Sequence, residues 1–162
     1  MSIDLALYQP DIAANTGTLL RLGACLGIKV HIIHPAGFAL TDRNLTRAGM
    51  DYLDKAVLFE HDSFAAFQDW RLEQRRRLVL LTTKASHSAY DASYLPGDIL
   101  LLGRESAGVP NSVAEAADLG VRIPMHPNLR SINVAIAGAM ILGEALRQTG
   151  TLPAVTPFTE PS

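Results

Sequence analysis

The chain has 162 residues, 48% hydrophobic and 19% charged, with a formal net charge of −2. That balance suits one soluble globular domain, residues 1–150 with a loose tail over 151–162, and excludes a strongly basic nucleic-acid binder while leaving room for a local cationic patch. Cys25 stands alone, which excludes an intramolecular disulfide and a cysteine zinc cluster.

Ile3 to Tyr8 is a short apolar run ending at Pro10 and reads as a first buried strand. Asn15 is placed to cap a helix from Thr16 to Leu26, closed by Gly27, with Cys25 expected as a small buried thiol inside it. Lys29 to Ile33 reads as a second strand, ended by Pro35 and Gly37. Thr41 to Gly49 suits a short helix bearing Arg43 and Arg47. A third strand over Ala56 to Phe59 and a helix over Ser63 to Arg71 follow.

Arg75-Arg76-Arg77, expected as a solvated basic face, precedes a fourth strand, Leu78 to Leu81. Ala85 to Gly97 has no clear period and reads as irregular. Ile99 to Leu102 is a fifth strand, Asn111 to Ala117 a helix, Val121 to Ile123 a sixth strand and Ser131 to Gln148 a final helix. Strands alternating with helices imply an α/β fold, a mainly parallel sheet covered by helices on both faces. The most apolar stretch, Val134 to Leu142, is far shorter than the roughly 20 residues a membrane span needs. No charged apolar leader opens the chain, so a cytoplasmic protein is expected.

The chemistry concentrates between Ile99 and Gly150, where two strand ends and a helix start carry Gly, Pro, Ser and Asn, the places where α/β proteins hold ligands. Gly103 to Pro110 lacks the phosphate-loop ending and the Gly-x-Gly-x-x-Gly pattern, so it specifies neither a nucleoside triphosphate nor a dinucleotide. It offers backbone groups and Glu105, suited to the ribose or amine of an adenosyl ligand. His31, His34, His61, His87 and His126 lack metal-ligand spacing, and no metal is expected. Ser131 has no evident His or Asp partner in sequence, so a hydrolase triad is unsupported. Arg21 is the one charge between Asp11 and Lys29, set amid Leu, Gly, Ala and Cys. Gly138 and Gly143 inside the last helix each cost about 1 kcal/mol relative to alanine. Close approach of another backbone, from this chain or a second subunit, would offset that.

Three stretches together resemble the motifs of SPOUT RNA methyltransferases. They are Asn15-Thr16-Gly17 with Arg21, then Gly103-x-Glu105-x-x-Gly108-Val109-Pro110, then Ile123-Pro124-Met125 with Ser131-Ile132-Asn133-Val134. Tyr8-x-Pro10, His31-Ile32-Ile33-x-Pro35 with Gly37-Phe38, and Arg47-Ala48-Gly49-x-Asp51-Tyr52 narrow the resemblance. They point to the small bacterial tRNA (cytidine/uridine-34) ribose 2′-O-methyltransferases, over Leu5 to Gly150. The resemblance implies a C-terminal deep trefoil knot, an exception to the usual avoidance of threading, and a homodimer acting on the tRNA anticodon stem-loop. It implies S-adenosylmethionine held by Leu81, Gly103, Ile123, Met125, Ser131 and Ile132, and a catalytic set of Arg21, Glu105, Ser131 and Asn133, with Arg21 completing the partner's site. Arg104, Ala107 and Ala135 depart from the usual pattern. Another tRNA or ribosomal ribose is the nearest alternative, and an RNA-binding module that has lost catalysis is a second.

Overall fold

The computed structural model describes residues 1–41, 43, 45, 47 and 57–161. Six strands form one parallel sheet: β1 (Asp4–Tyr8), β2 (Lys29–Ile33), β3 (Val57–His61), β4 (Leu78–Leu81), β5 (Ile99–Leu102) and β6 (Leu119–Val121). Their order is β3-β2-β1-β5-β4-β6. Among the fully described elements, helices α1 (Ala13–Leu26), α2 (Phe64–Glu73), α3 (Asn111–Ala116) and α4 (Val134–Thr149) accompany them. The helix expected over Thr41 to Gly49 and the stretch Arg47 to Tyr52 fall largely outside the described residues, as does a strand start at Ala56. Arg43, Leu45 and Arg47 are helical, and Leu45 is buried.

The strands read as continuous apolar runs because both sheet faces are covered. Alternate residues of β1, β2 and β5, such as Leu5, Leu7, Val30, Ile32, Leu100 and Leu102, pack with α1 and α4 residues Leu19, Leu20, Ile141 and Leu142. Their neighbours Ala6, Tyr8, Ile33, Ile99 and Leu101 face the other way, onto Phe67 of α2 and Val113 of α3. Gly138 explains itself here. A Cβ would stand 2.6 Å from Leu102 Cδ1 and 3.2 Å from Leu19 Cδ2, so its missing side chain lets α4 lie on β5 and α1 of the same chain. No atom lies within 4 Å of a Cβ built on Gly143.

Several boundaries move for identifiable reasons. Helix α1 begins at Ala13 rather than Thr16, with Ile12 in the cap position and no side-chain cap bond. Asn15 is therefore in the first turn of the helix rather than at its cap, and its side chain goes elsewhere. Cys25 is exposed, on the side of α1 away from the sheet. Strand β6 ends at Val121, two residues before the expected end, because it follows the end of β4 and Leu81 is paired to Val121. Helix α4 begins at Val134 because Asn133 Oδ1 accepts the Ala135 and Ile136 N–H groups at 2.8 and 3.2 Å. The segment between β4 and β5 is irregular as expected, but it is well tied. Arg122 N–H donates to His87, Ala89 N–H to Arg122, and Gln148 Nε2 to Ala92. Residues 151–161 carry no helix or strand and are exposed.

The arginine triplet is not a uniform solvated face. Arg76 is buried and donates to Asp4 Oδ2 at 2.6 Å, Gly97 O at 2.8 Å and Ser2 O at 2.7 Å. Arg77 grips Asp98 through Nε and Nη2. Asp4 also bonds His31 Nε2 at 2.8 Å, and His31 Nδ1 meets His61 Nε2 at 3.0 Å. Burial alone would raise the Asp4 pKa, but hydrogen bonds from His31 and Arg76 outweigh it and hold the carboxyl below its ordinary range. Burial, then the neighbouring His31, lowers the pKa of His61.

Both shifts act in the same direction. Each folded value lies below the unfolded one, so the stabilisation is present above about pH 6.5 for His61 and about pH 4 for Asp4. It is lost as pH falls through the folded values. Denaturant unfolding should therefore show stability declining on acidification from neutral pH. At pH 7, Arg76→Met should cost about 3–5 kcal/mol, because it strands the buried Asp4 charge.

Candidate active site

All six strands being parallel, their carboxyl ends open on one side of the sheet, where ligands bind in folds of this kind. A cavity of about 750 Å³ lies there, beyond the ends of β4, β5 and β6 and against the starts of α1 and α4. Leu81, Gly103, Ile123, Met125, Ser131 and Ile132 all line it, although they come from four separate parts of the chain. So do Glu105 and Asn133. Arg21 is not among the lining residues; it is exposed on α1, where it is engaged in an interaction of its own.

The loop after β5 is pinched shut. Arg104 N–H donates to Gly108 O at 3.0 Å and Gly108 N–H to Arg104 O at 2.9 Å. A Cβ on Gly103 would meet Gly108 Cα at 2.8 Å and its carbonyl carbon at 2.9 Å, and Gly108 has φ +61°, so glycine is required twice. The tip, Glu105 to Ala107, is thereby presented at the cavity. Pro110 then precedes α3.

Two long-range contacts fix the loops around this tip. Asn133 Nδ2 donates to Asn15 Oδ1 at 3.1 Å, joining the start of α4 to α1. Asn133 is thus fully engaged as a cap and a tie. Asp11 N–H donates to Glu105 Oε2 at 3.0 Å, and Glu105 N–H to Asp11 Oδ1 at 3.2 Å. Burial first, then the hydrogen bond with Asp11, raises the Glu105 pKa. Among the described residues the Ser131 side chain makes no hydrogen bond within the chain. It faces the cavity as an available hydroxyl.

The rim is cationic. Lys84, Arg104, Arg122 and Arg130 line the cavity, and a neighbouring lobe is lined by Arg122, His126 and Arg130. The Arg104 guanidinium lies 5.5 Å from the Tyr8 ring centroid, and its Nε donates to Gly108 O. Among the described residues no group of three or more His, Cys, Asp or Glu could hold a metal ion.

The description "SpoU rRNA Methylase family" fits residues 2–143 of this chain, nearly its whole length. The chain belongs to the SpoU methylase family. A tRNA (cytidine(34)-2'-O)-methyltransferase of Beijerinckia indica subsp. indica is 60% identical over 151 residues, covering 93% of this chain and 94% of that protein. A solved structure described as giving structural insights into the 2-OH methylation of C/U34 on tRNA matches with a TM-score of 0.86 and 40% identity. It covers 91% of this chain and 95% of that one. The SpoU methyltransferase AviRb from Streptomyces viridochromogenes, in complex with the cofactor AdoMet, matches with a TM-score of 0.84 and 25% identity, over 91% of this chain and 60% of that one. The expected α/β class and family hold.

Nothing in the sequence marks Asp11 or Arg122 as site residues. Pro10 and Asp11 signal only a turn, and nothing local marks a partner 94 residues away. A Gly103→Ala SpoU methylase should lose about 1–3 kcal/mol of stability in chemical denaturation, since the added methyl meets backbone rather than a movable side chain.

Proposed function

We propose that this chain transfers the methyl group of S-adenosylmethionine to the ribose 2′-oxygen of nucleotide 34, C or U, in tRNA. The observation that carries the reading is the cavity itself. It gathers residues of all three motifs, Asn15 from the first, at one sheet edge, in a chain 60% identical to a tRNA (cytidine(34)-2'-O)-methyltransferase. The lining suits the cofactor: a mixed polar and apolar pocket, with backbone N–H and C=O groups from a loop closed by Gly103 and Gly108. Leu81, Gly103, Ile123, Met125, Ser131 and Ile132 would hold it, and when bound it supplies an electrophilic methyl on a sulfonium.

An alcohol is a poor nucleophile at neutral pH, so the 2′-hydroxyl must lose its proton as it attacks. Guanidinium remains protonated throughout the physiological range. Arg21 therefore stabilises the developing alkoxide, and the proton leaves by water or a substrate phosphate. Glu105 and Ser131 orient the nucleotide, while Asn133 holds the wall they stand on. Because Arg21 projects from α1 outside its own cavity, we assign it to the site of a second copy in a homodimer. The outward face of α4, with exposed Ile136 and Met140 beside Ala139 and Gly143, supports such a contact.

Residues 1–150 act in this reading as one domain with a C-terminal knot. The anticodon stem-loop presents unstacked nucleotides that a compact domain can reach. Its phosphates meet Lys84, Arg104, Arg122 and Arg130, with Arg43 and Arg47 on the same chain as further cations. Among the described residues no helix is long and apolar enough to cross a membrane, and we place the enzyme with its substrate in the cytoplasm.

Mass spectrometry of ribose-methylated nucleosides should find 2′-O-methylated nucleotide 34 in tRNA only from cells that contain this protein. Methylation at another tRNA or a ribosomal ribose would refute the assignment. Arg21→Ala should abolish turnover while S-adenosylmethionine binding, read by calorimetry, stays near wild type. Arg21→Lys should stay slow at high pH if the guanidinium acts as a charged clamp rather than a base. Light scattering at micromolar concentration should give a dimer, and tRNA affinity should fall steeply with added salt.

A further inference from the structure

Asp11 lies in the turn between β1 and α1, outside the three motifs, and its polar contacts converge on one loop tip. Its N–H donates to Glu105 Oε2, its Oδ1 accepts the Glu105 N–H, and its Oδ2 accepts the Ser106 hydroxyl. It is also backed from behind. A Cβ on Gly37 would stand 3.0 Å from both Cα and Cβ of Asp11, and Gly37 N–H donates to Pro10 O at 2.8 Å. Gln9 N–H donates to Ile33 O, so the whole turn is fastened to β2 and the loop after it. Asp11 cannot withdraw from Glu105 without breaking those ties.

We propose that Asp11 is a positioning residue for methyl transfer: it fixes the Glu105 carboxyl at the cavity and holds it as one half of a carboxyl pair. This rests on the methyltransferase function proposed above. Two carboxyl groups within hydrogen-bond reach do not ionise independently. The hydrogen bond with Glu105 lowers the Asp11 pKa, while burial and then Asp11 raise that of Glu105. The two groups accordingly titrate as a pair, and the Asp11 N–H bond to Oε2 sets the rotation of the Glu105 carboxyl group. The other charged groups lining the cavity are Lys84, Arg104, Arg122 and Arg130. Among the described residues none of them forms an ion pair with either carboxylate. Arg104, the nearest in sequence, turns to the Tyr8 ring and Gly108 O instead.

A plain loop staple and a carboxyl pair differ in what Asp11→Asn does. The amide keeps the shape, the Asp11 N–H bond to Glu105 and an oxygen acceptor, but it removes the charge. Carbon-detected NMR should show Glu105 titrating about one pH unit lower in this variant than in wild type. The limb of the kcat/KM profile for tRNA methylation that follows the Glu105 titration should move in the same direction. Asp11→Ala should lower kcat about a hundredfold, with KM for tRNA changed far less. A Glu105 titration and pH profile in Asp11→Asn that superimpose on wild type would overturn the pair. So would wild-type kcat in Asp11→Ala. Should Asp11→Ala fail to fold, the near-isosteric asparagine variant still decides. If wild-type protein leaves nucleotide 34 unmethylated, the proposed function fails, while the Glu105 titration still reads the pair independently.

Discussion

Two polar ties across the site determine what the rest of this fold can do. Asp11 holds the Glu105 loop and Asn15 holds Asn133. Parallel strands bring their carboxyl ends to one side but leave the loops there free to diverge, because each continues into its own crossover. Hydrogen bonds between residues about a hundred apart make those loops one wall. The turn after β1 and the first turns of α1 thus serve as a brace for the second half of the chain.

The position of β5 makes that bracing possible. It lies between β1 and β4, paired to both in parallel, so the loop after it emerges at the middle of the sheet edge. Leu81 of β4 and Leu102 of β5 stand opposite each other in register. The chain leaving β6 passes beside them before α4 returns over α1, with Gly138 allowing the helix to settle on Leu102. Cofactor-side residues from distant parts of the sequence therefore share one cavity.

Charge is divided between the two ends of the sheet. Towards the amino end, Asp4, Arg76 and His31 form a buried, internally satisfied cluster that reaches half-buried His61, and its arginine ties Ser2 and Asp4 to Gly97. At the carboxyl end the cations Lys84, Arg122 and Arg130 are exposed around the cavity. A chain of net charge −2 can thus present a positive rim where a polyanion would approach.

The sequence by itself determined the strands, most helices and the cavity residues. Apolar runs bounded by Gly and Pro report burial directly, and Gly103, Glu105, Gly108 and Ser131 lie in compact local patterns. It misassigned residues whose fate depends on what stands opposite them. Asn15 suits a helix cap, yet α1 starts earlier and the side chain ties to Asn133. Cys25 sits in an apolar helix but on its outer face. Arg76 belongs to a basic triplet but is buried against Asp4, 72 residues away. Asp11 gave no signal because its partners come from the far half of the chain. Local propensity and period fix which elements form, whereas side-chain partners across the chain are fixed only when tertiary packing sets the distance between loops.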